Sequence, residues 1–253
     1  MKKIKFGILE VGVPPSELEE AHGSYPDMFK TLLNQAVKSF LNLDFEFQYF
    51  QVLDGDIPSD PSLCDAWLIT GSKFGVYEAH VWIEPLSSLV KSCYQQDVPM
   101  IGICFGHQLI AQALGGKVIK SNKGWSLGVQ EYRLEQQPSW LQDTQDVFSI
   151  QAYHQDQVVE LPENTQILAS SEFCPLAALN FNDRAISFQG HPEFDPHYTK
   201  KLLCSRRDMQ LLPIELSNQA IDLVNTPIQR ELVAKWICQF LEFKLSSANS
   251  SHI

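Results

Sequence analysis

Val98-Pro-Met-Ile-Gly-Ile-Cys104-Phe-Gly-His-Gln108-Leu-Ile-Ala-Gln-Ala-Leu114 passes from an unbroken apolar run straight into a helical pattern that stops at Gly115-Gly116. An apolar run without alternation is a strand covered on both faces, as in parallel sheets. The helix follows without a linker, so the segment is one strand–helix unit with Cys104 at its corner. Residues 5–11, 45–52 and 66–70 are further short apolar or alternating runs bounded by turn residues. Between them Phe29, Leu32, Leu33, Ala36, Val37 and Phe40 fall at helical spacing, as do Trp82, Ile83, Leu86, Leu89, Val90 and Cys93. Alternation of this kind predicts an α/β fold built on a mostly parallel central sheet with helices on both faces.

Strand signals dominate after Gly116, at residues 118–119, 129–134, 147–150, 167–169, 176–181 and 185–189, and predict an additional small antiparallel layer. From Pro196 the pattern is helical again, with Leu232, Val233, Trp236, Ile237, Phe240 and Leu241 forming one apolar stripe. The expected organisation is one domain over residues 1–195, a helical extension over 196–245 packed on it, and a frayed tail over 246–253.

Ligands of open parallel sheets bind at the carboxyl ends of the strands, which directs attention to Thr70 and Ile103 and to the residues directly after them. Gly102 and Gly106 flank Cys104 in a G-x-C-x-G spacing that permits a tight, strained strand-to-helix turn, as in a nucleophile elbow. A helix N-terminus stabilises negative charge and favours thiolate. The Phe105 amide, next along, can point at an oxyanion. Ser187-Phe-Gln-Gly-His191-Pro-Glu193 then supplies an imidazole and a carboxylate two residues apart after an apolar strand. Pro192 disfavours helix at His191 and keeps the pair extended, so that Glu193 can orient the ring. Cys104, His191 and Glu193 therefore form a candidate catalytic triad. Cys64, Cys93, Cys174, Cys204 and Cys238 read as core residues, and His107, beside the nucleophile, as structural because its helical position turns it away. Trp125 either lines a cleft or covers the core.

Gly-Ile-Cys104-Phe-Gly-His-Gln108 followed by Gly-His191-Pro-Glu193 resembles the signature of the class I glutamine amidotransferases, and the likeness runs from about Lys3 to Phe194. The resemblance implies a flavodoxin-like fold and attack on a γ-glutamyl amide through a thioester. It also implies a second oxyanion amide at Ser72, in the stretch Leu68-Ile-Thr-Gly-Ser72, and substrate contacts from Gly71, Gln108, Tyr153 and His154. The last two lie in a loop-like segment, Gln151-Ala-Tyr153-His154-Gln-Asp156. Tyr25-Pro-Asp-Met-Phe29, Gly71-Ser-Lys-Phe-Gly75 and Gln189-Gly-His-Pro-Glu193 resemble stand-alone members related to plant γ-glutamyl peptidases and the glutaminase domains of GMP synthases. Gly71-Ser72 replaces the two glycines and proline of many synthase-linked members, which puts their partner contacts in doubt.

The expected function is therefore a glutaminase releasing ammonia from glutamine, the alternatives being a free-standing γ-glutamyl peptidase or a catalytically silent binding protein. The residues contain no phosphate-binding loop, so a synthetase receiving the ammonia would be a separate subunit. No cofactor is required, and no ligand spacing suggests a metal. Thirty acidic against 19 basic residues, a net charge of −11, argue against nucleic acid. No run approaches about 20 apolar residues, so no membrane span is expected. The basic then apolar start is broken by Glu10 and followed by Pro14-Pro15, unlike a signal peptide. Six scattered cysteines suit reduced thiols in the cytoplasm.

Overall fold

The computed structural model describes residues 3–38, 40, 43–142 and 145–247 of the 253. Its strands are β1 (Lys3–Glu10), β2 (Asp44–Gln51), β3 (Ala66–Ile69), β4 (Met100–Ile103), β5 (Lys117–Lys120), β6 (Ser126–Leu134), β7 (Val147–His154), β8 (Asp156–Glu160), β9 (Thr165–Ser170), β10 (Ala178–Phe181) and β11 (Ala185–Phe188). The helices are α1 (Ser16–His22), α2 (Tyr25–Val37), α3 (Ile83–Gln95), α4 (Phe105–Ala113), α5 (Pro196–Asp208), α6 (Ile214–Asp222) and α7 (Arg230–Ser247).

Nine strands form one sheet in the order β2-β1-β3-β4-β11-β10-β9-β6-β7. Every neighbouring pair from β2 to β11 is parallel, the doubly wound order that leaves a ligand crevice at the strands' carboxyl ends. From β11 through β7 the pairs are antiparallel. Most of the strand-rich segment thus prolongs the central sheet, and the small separate layer is the antiparallel ribbon β5–β8. β4 is buried at all four positions, the reason its sequence shows no alternation.

Local signals explain the helix boundaries. Ser24 and Asp27 close a capping box at the start of α2, where Pro26 occupies the first turn. Asp195 accepts from the Tyr198 amide at 2.7 Å and opens α5. The α2 stripe ends at Val37, so Phe40 packs from outside the helix, and Trp82 sits at the N-cap position of α3. α7 lays Val233, Trp236, Ile237 and Phe240 into the core shared with Phe29 and Leu32 of α2 and Phe148 and Ile150 of β7. Burying each such side chain contributes roughly 1.5–3 kcal/mol, and α7 is continuous with the main core, while Tyr198 and Leu202 of α5 and Ala220 of α6 pack in smaller clusters.

Three readings of the sequence are corrected. Pro192 and Glu193 form a turn and not an extended pair, closed by the Phe194 amide donating back to the His191 carbonyl at 3.4 Å. Gln151 to His154 are strand, the end of β7, and only Gln155 separates them from β8, so the segment is not a loop. α1 and β8 carried too short a periodicity to be distinguished. Of the tail expected to fray, Ser246 and Ser247 continue α7, and residues 248–253 lie outside the described residues. Among the described residues, no helix is long and apolar enough to cross a membrane.

Candidate active site

Cys104 sits at the turn from β4 into α4 with φ 50° and ψ −99°, a conformation that costs a non-glycine residue about 1–3 kcal/mol. Its neighbours must be glycines. A Cβ on Gly102 would lie 2.5 Å from the Gly106 carbonyl oxygen, and one on Gly106 would collide with the Ile69 carbonyl. The corner is held by the Cys104 amide, which donates to the Phe188 carbonyl at 2.8 Å. Strain at a single residue, maintained by close packing on both sides, aims the sulfur above the carboxyl ends of β3, β4 and β11.

β11 ends at Phe188, and His191 follows in a short turn whose amide donates to Gln151 O at 2.7 Å, extending the sheet by one bridge. The His191 ring is fixed on two sides. Nδ1 lies 2.7 Å from Glu193 Oε1, and the Phe194 ring stacks on the imidazole at 4.1 Å with a 5° interplanar angle. Both members of the pair are buried, at 4% and 3% exposure. Burial by itself lowers the pKa of His191, but Glu193 and then Cys104 outweigh it and hold the ring well above its ordinary value. His191 Nε2 makes no hydrogen bond of good geometry, and Cys104 acts on the ring at close range. Such contacts are often loose without substrate.

Gly71, two residues past the end of β3, brings the third element to the corner: a Cβ there would stand 2.9 Å from His191 Cε1 and 3.6 Å from Cys104 Cβ. Among the described residues neither the Ser72 nor the Phe105 amide has a hydrogen-bond acceptor. Cys104, His191, Gly71, Ser72, Gln108, Tyr153 and His154 line one cleft of about 570 Å³. Gln108 is only partly available, since its Nε2 donates to Asp156 O at 3.0 Å and Gln189 Oε1 at 3.2 Å, leaving Oε1 for the cleft. His154 is kept neutral, its pKa pushed down to about 3 by burial and the neighbouring His191. Tyr153 packs on Trp125 at 5.4 Å, and both form cleft wall, which resolves the two readings of Trp125.

Residues 26–207 match the sequence profile of the family described as glutamine amidotransferase class-I. The chain belongs to the class I glutamine amidotransferases. Its relatives in the family include enzymes. γ-Glutamyl peptidase 2 of Arabidopsis thaliana is 28% identical over 230 residues, covering 88% of this chain and 90% of the relative. γ-Glutamyl peptidase 4 of the same plant is 31% identical over 210 residues, covering 77% and 78%. One component of the glutamine-hydrolysing GMP synthase of Methanosphaera stadtmanae is 36% identical over 112 residues, 44% of this chain and 60% of that protein. A solved glutamine amidotransferase from Thermotoga maritima shares the fold, with a TM-score of 0.72 and 17% identity over 96% of this chain and all of that one.

The other sequence candidates separate cleanly. His107 is fully buried with Nδ1 2.7 Å from Ser187 Oγ, and burial pushes its pKa down to about 3, as a structural histidine requires. Burial pushes Cys64 up to about 11 and Cys93, Cys174 and Cys238 up to about 12, so these remain neutral thiols. No group of three or more His, Cys, Asp or Glu side chains with metal-binding geometry occurs among the described residues. Sequence reading missed Phe194, the ring support, although an aromatic directly after the His-Pro-Glu run was visible. It also missed Tyr25, Leu202 and Arg206, which reach the cleft from α2 and α5.

Proposed function

We propose that the chain hydrolyses γ-glutamyl amides through a Cys104 thioester. The observation that carries this is the His191–Glu193 pair at 2.7 Å, ring stacked on Phe194, facing a strained cysteine in one cleft. The Cys104 thiolate adds to the γ-carbonyl carbon, and the oxyanion is met by the Ser72 and Phe105 amides. His191 then gives its proton to the departing nitrogen as the C–N bond breaks, leaving the γ-glutamyl thioester. Water, deprotonated by His191, attacks the thioester and releases glutamate and the thiol. Glu193 keeps Nδ1 protonated and the ring oriented. Gln108 Oε1, Tyr153, His154 and the Gly71 backbone serve as substrate contacts.

The size of the cleft favours γ-glutamyl conjugates over glutamine as the substrate. A volume of about 570 Å³ is that of a pocket for a drug-sized ligand, well beyond a single amino acid. The γ-glutamyl peptidases match most of the chain, whereas the GMP synthase component matches less than half. A separate synthetase subunit stays the partner of the glutaminase reading. Residues 1–195 and the helices to 245 act as one domain in this scheme, and six free thiols support a reducing cytoplasmic setting.

Turnover of glutamine and of γ-glutamyl dipeptides by the purified protein, with Cys104→Ala alongside, tests the scheme. Hydrolysis lost in Cys104→Ala with folding intact is expected. Equal turnover by that variant would remove the thioester.

A further inference from the structure

Glu193 has few contacts for a group that must hold a ring in place. Its Oε1 meets only His191, and Oε2 is buried without a partner among the described residues. A carboxylate with one hydrogen bond cannot orient itself. Its direction must come from the backbone at residues 192–193, and that backbone is a turn outside the sheet. Among the described residues no backbone amide serves the Pro192 or Glu193 carbonyl. The guanidinium of Arg230, the first residue of α7, serves both: Nε donates to Pro192 O at 3.1 Å and Nη2 to Glu193 O at 3.3 Å. Two donors in a rigid planar fork fix two successive peptide units, which a lysine's single ammonium cannot match.

The preceding residue braces the other side of the turn. Gln229 N donates to Ser149 O at 2.7 Å, and Ser149 N donates to Gln229 Oε1 at 2.6 Å. Two residues further along β7 is Gln151, whose carbonyl receives the His191 amide. The start of α7 is thereby joined to both ends of the His191–Glu193 turn, while the rest of the helix is anchored in the core by Trp236 and Phe240.

We propose that Arg230 is a positioning residue for the His191–Glu193 pair, so that the C-terminal helix, which begins beyond the family-matched residues 26–207, is a working part of the active site. This rests on the catalytic reading of His191 and Glu193 given above. Loss of the clamp lets the turn relax by a fraction of an ångström, and misplacement of about 1 Å costs up to ~100-fold in rate.

Arg230→Gln and Arg230→Lys, assayed on γ-glutamyl-p-nitroanilide, are expected to lower kcat by roughly tenfold and severalfold respectively, with KM changed less than about twofold. In a Glu193→Gln background the same substitutions should add almost nothing, because the effect passes through that carboxylate. Millimolar guanidinium chloride should restore part of the activity of Arg230→Ala. The pH dependence of Cys104 alkylation by iodoacetamide gives a readout independent of turnover, and in Arg230→Gln its profile should move in the direction seen for Glu193→Gln. An unchanged kcat and alkylation profile would overturn the proposal, as would a loss of equal size in the Glu193→Gln background. If the wild-type protein turned over no γ-glutamyl substrate, the catalytic reading would fall, and the alkylation profile would still decide whether Arg230 sets the pair.

Discussion

Replacing Gly71 with alanine should damage catalysis while sparing stability. Gly71 does not have a positive φ, so alanine suits its backbone, and removing a glycine's freedom from the unfolded chain is mildly stabilising. The added methyl, however, would stand 2.9 Å from His191 Cε1. Carbon atoms in ordinary contact are about 3.5–4.0 Å apart, so something must yield by ~0.6–1.1 Å. The imidazole is poorly able to do so, with Glu193 at 2.7 Å, Phe194 stacked at 4.1 Å and its own amide bound to Gln151. The alternative is movement of the Gly71–Ser72 backbone, which displaces the Ser72 amide. Either adjustment spoils alignment at the reacting centre, and shifts of this size cost on the order of 10–100-fold in kcat, about 1.4–2.7 kcal/mol of barrier. Initial rates on γ-glutamyl-p-nitroanilide, with thermal melting measured on the same preparation, make the comparison. A Gly71→Ala protein that melts like wild type and keeps kcat within twofold would refute the packing argument.

Glu193→Gln should move the alkaline limb of activity toward lower pH, by about 1–3 units, because the carboxylate is the main group that raises the His191 pKa against burial. A histidine raised above its ordinary 6.5 contributes stability that is complete below that value and is lost as pH rises through the folded pKa. The variant should therefore lose melting temperature most at acidic and neutral pH, and equal losses at all pH values would contradict this. Arg206 lies one turn beyond the buried, cleft-lining Leu202 and itself lines the cleft, and among the described residues its guanidinium makes no carboxylate contact within 4 Å, the exposed Glu17 carboxylate acting on it only at longer range. Arg206→Ala should accordingly raise KM roughly tenfold for γ-glutamyl peptides with a free terminal carboxylate. Steady-state kinetics on matched acid and amide peptides would show the loss for the acid alone, and equal effects on both would exclude a carboxylate contact.

The elbow at Cys104 and the pairing of His191 with Glu193 were legible in the residues because both are local devices, although the pair was read as extended and is a turn. Two glycines around Cys104 and a proline between His191 and Glu193 restrict conformation over a few bonds, and short apolar runs between helical stripes dictate a parallel sheet. The burial of His107 and the neutral thiols of Cys93 and Cys238 followed from helical periodicity in the same way. Partners remote along the chain were not legible. Gln108 gives up its amide nitrogen to Asp156, 48 residues away, Arg230 reaches Pro192 across 38, and α5 delivers Arg206 to the cleft that Cys104, about a hundred residues earlier, also lines. No periodicity encodes such meetings, because they depend on where whole elements dock. Likewise the segment ending β7 looked like a polar loop because Gln151 and His154 are polar, yet both are buried strand residues. Backbone pairing with β6 overrides their intrinsic preference, and only the assembled sheet supplies that partner strand.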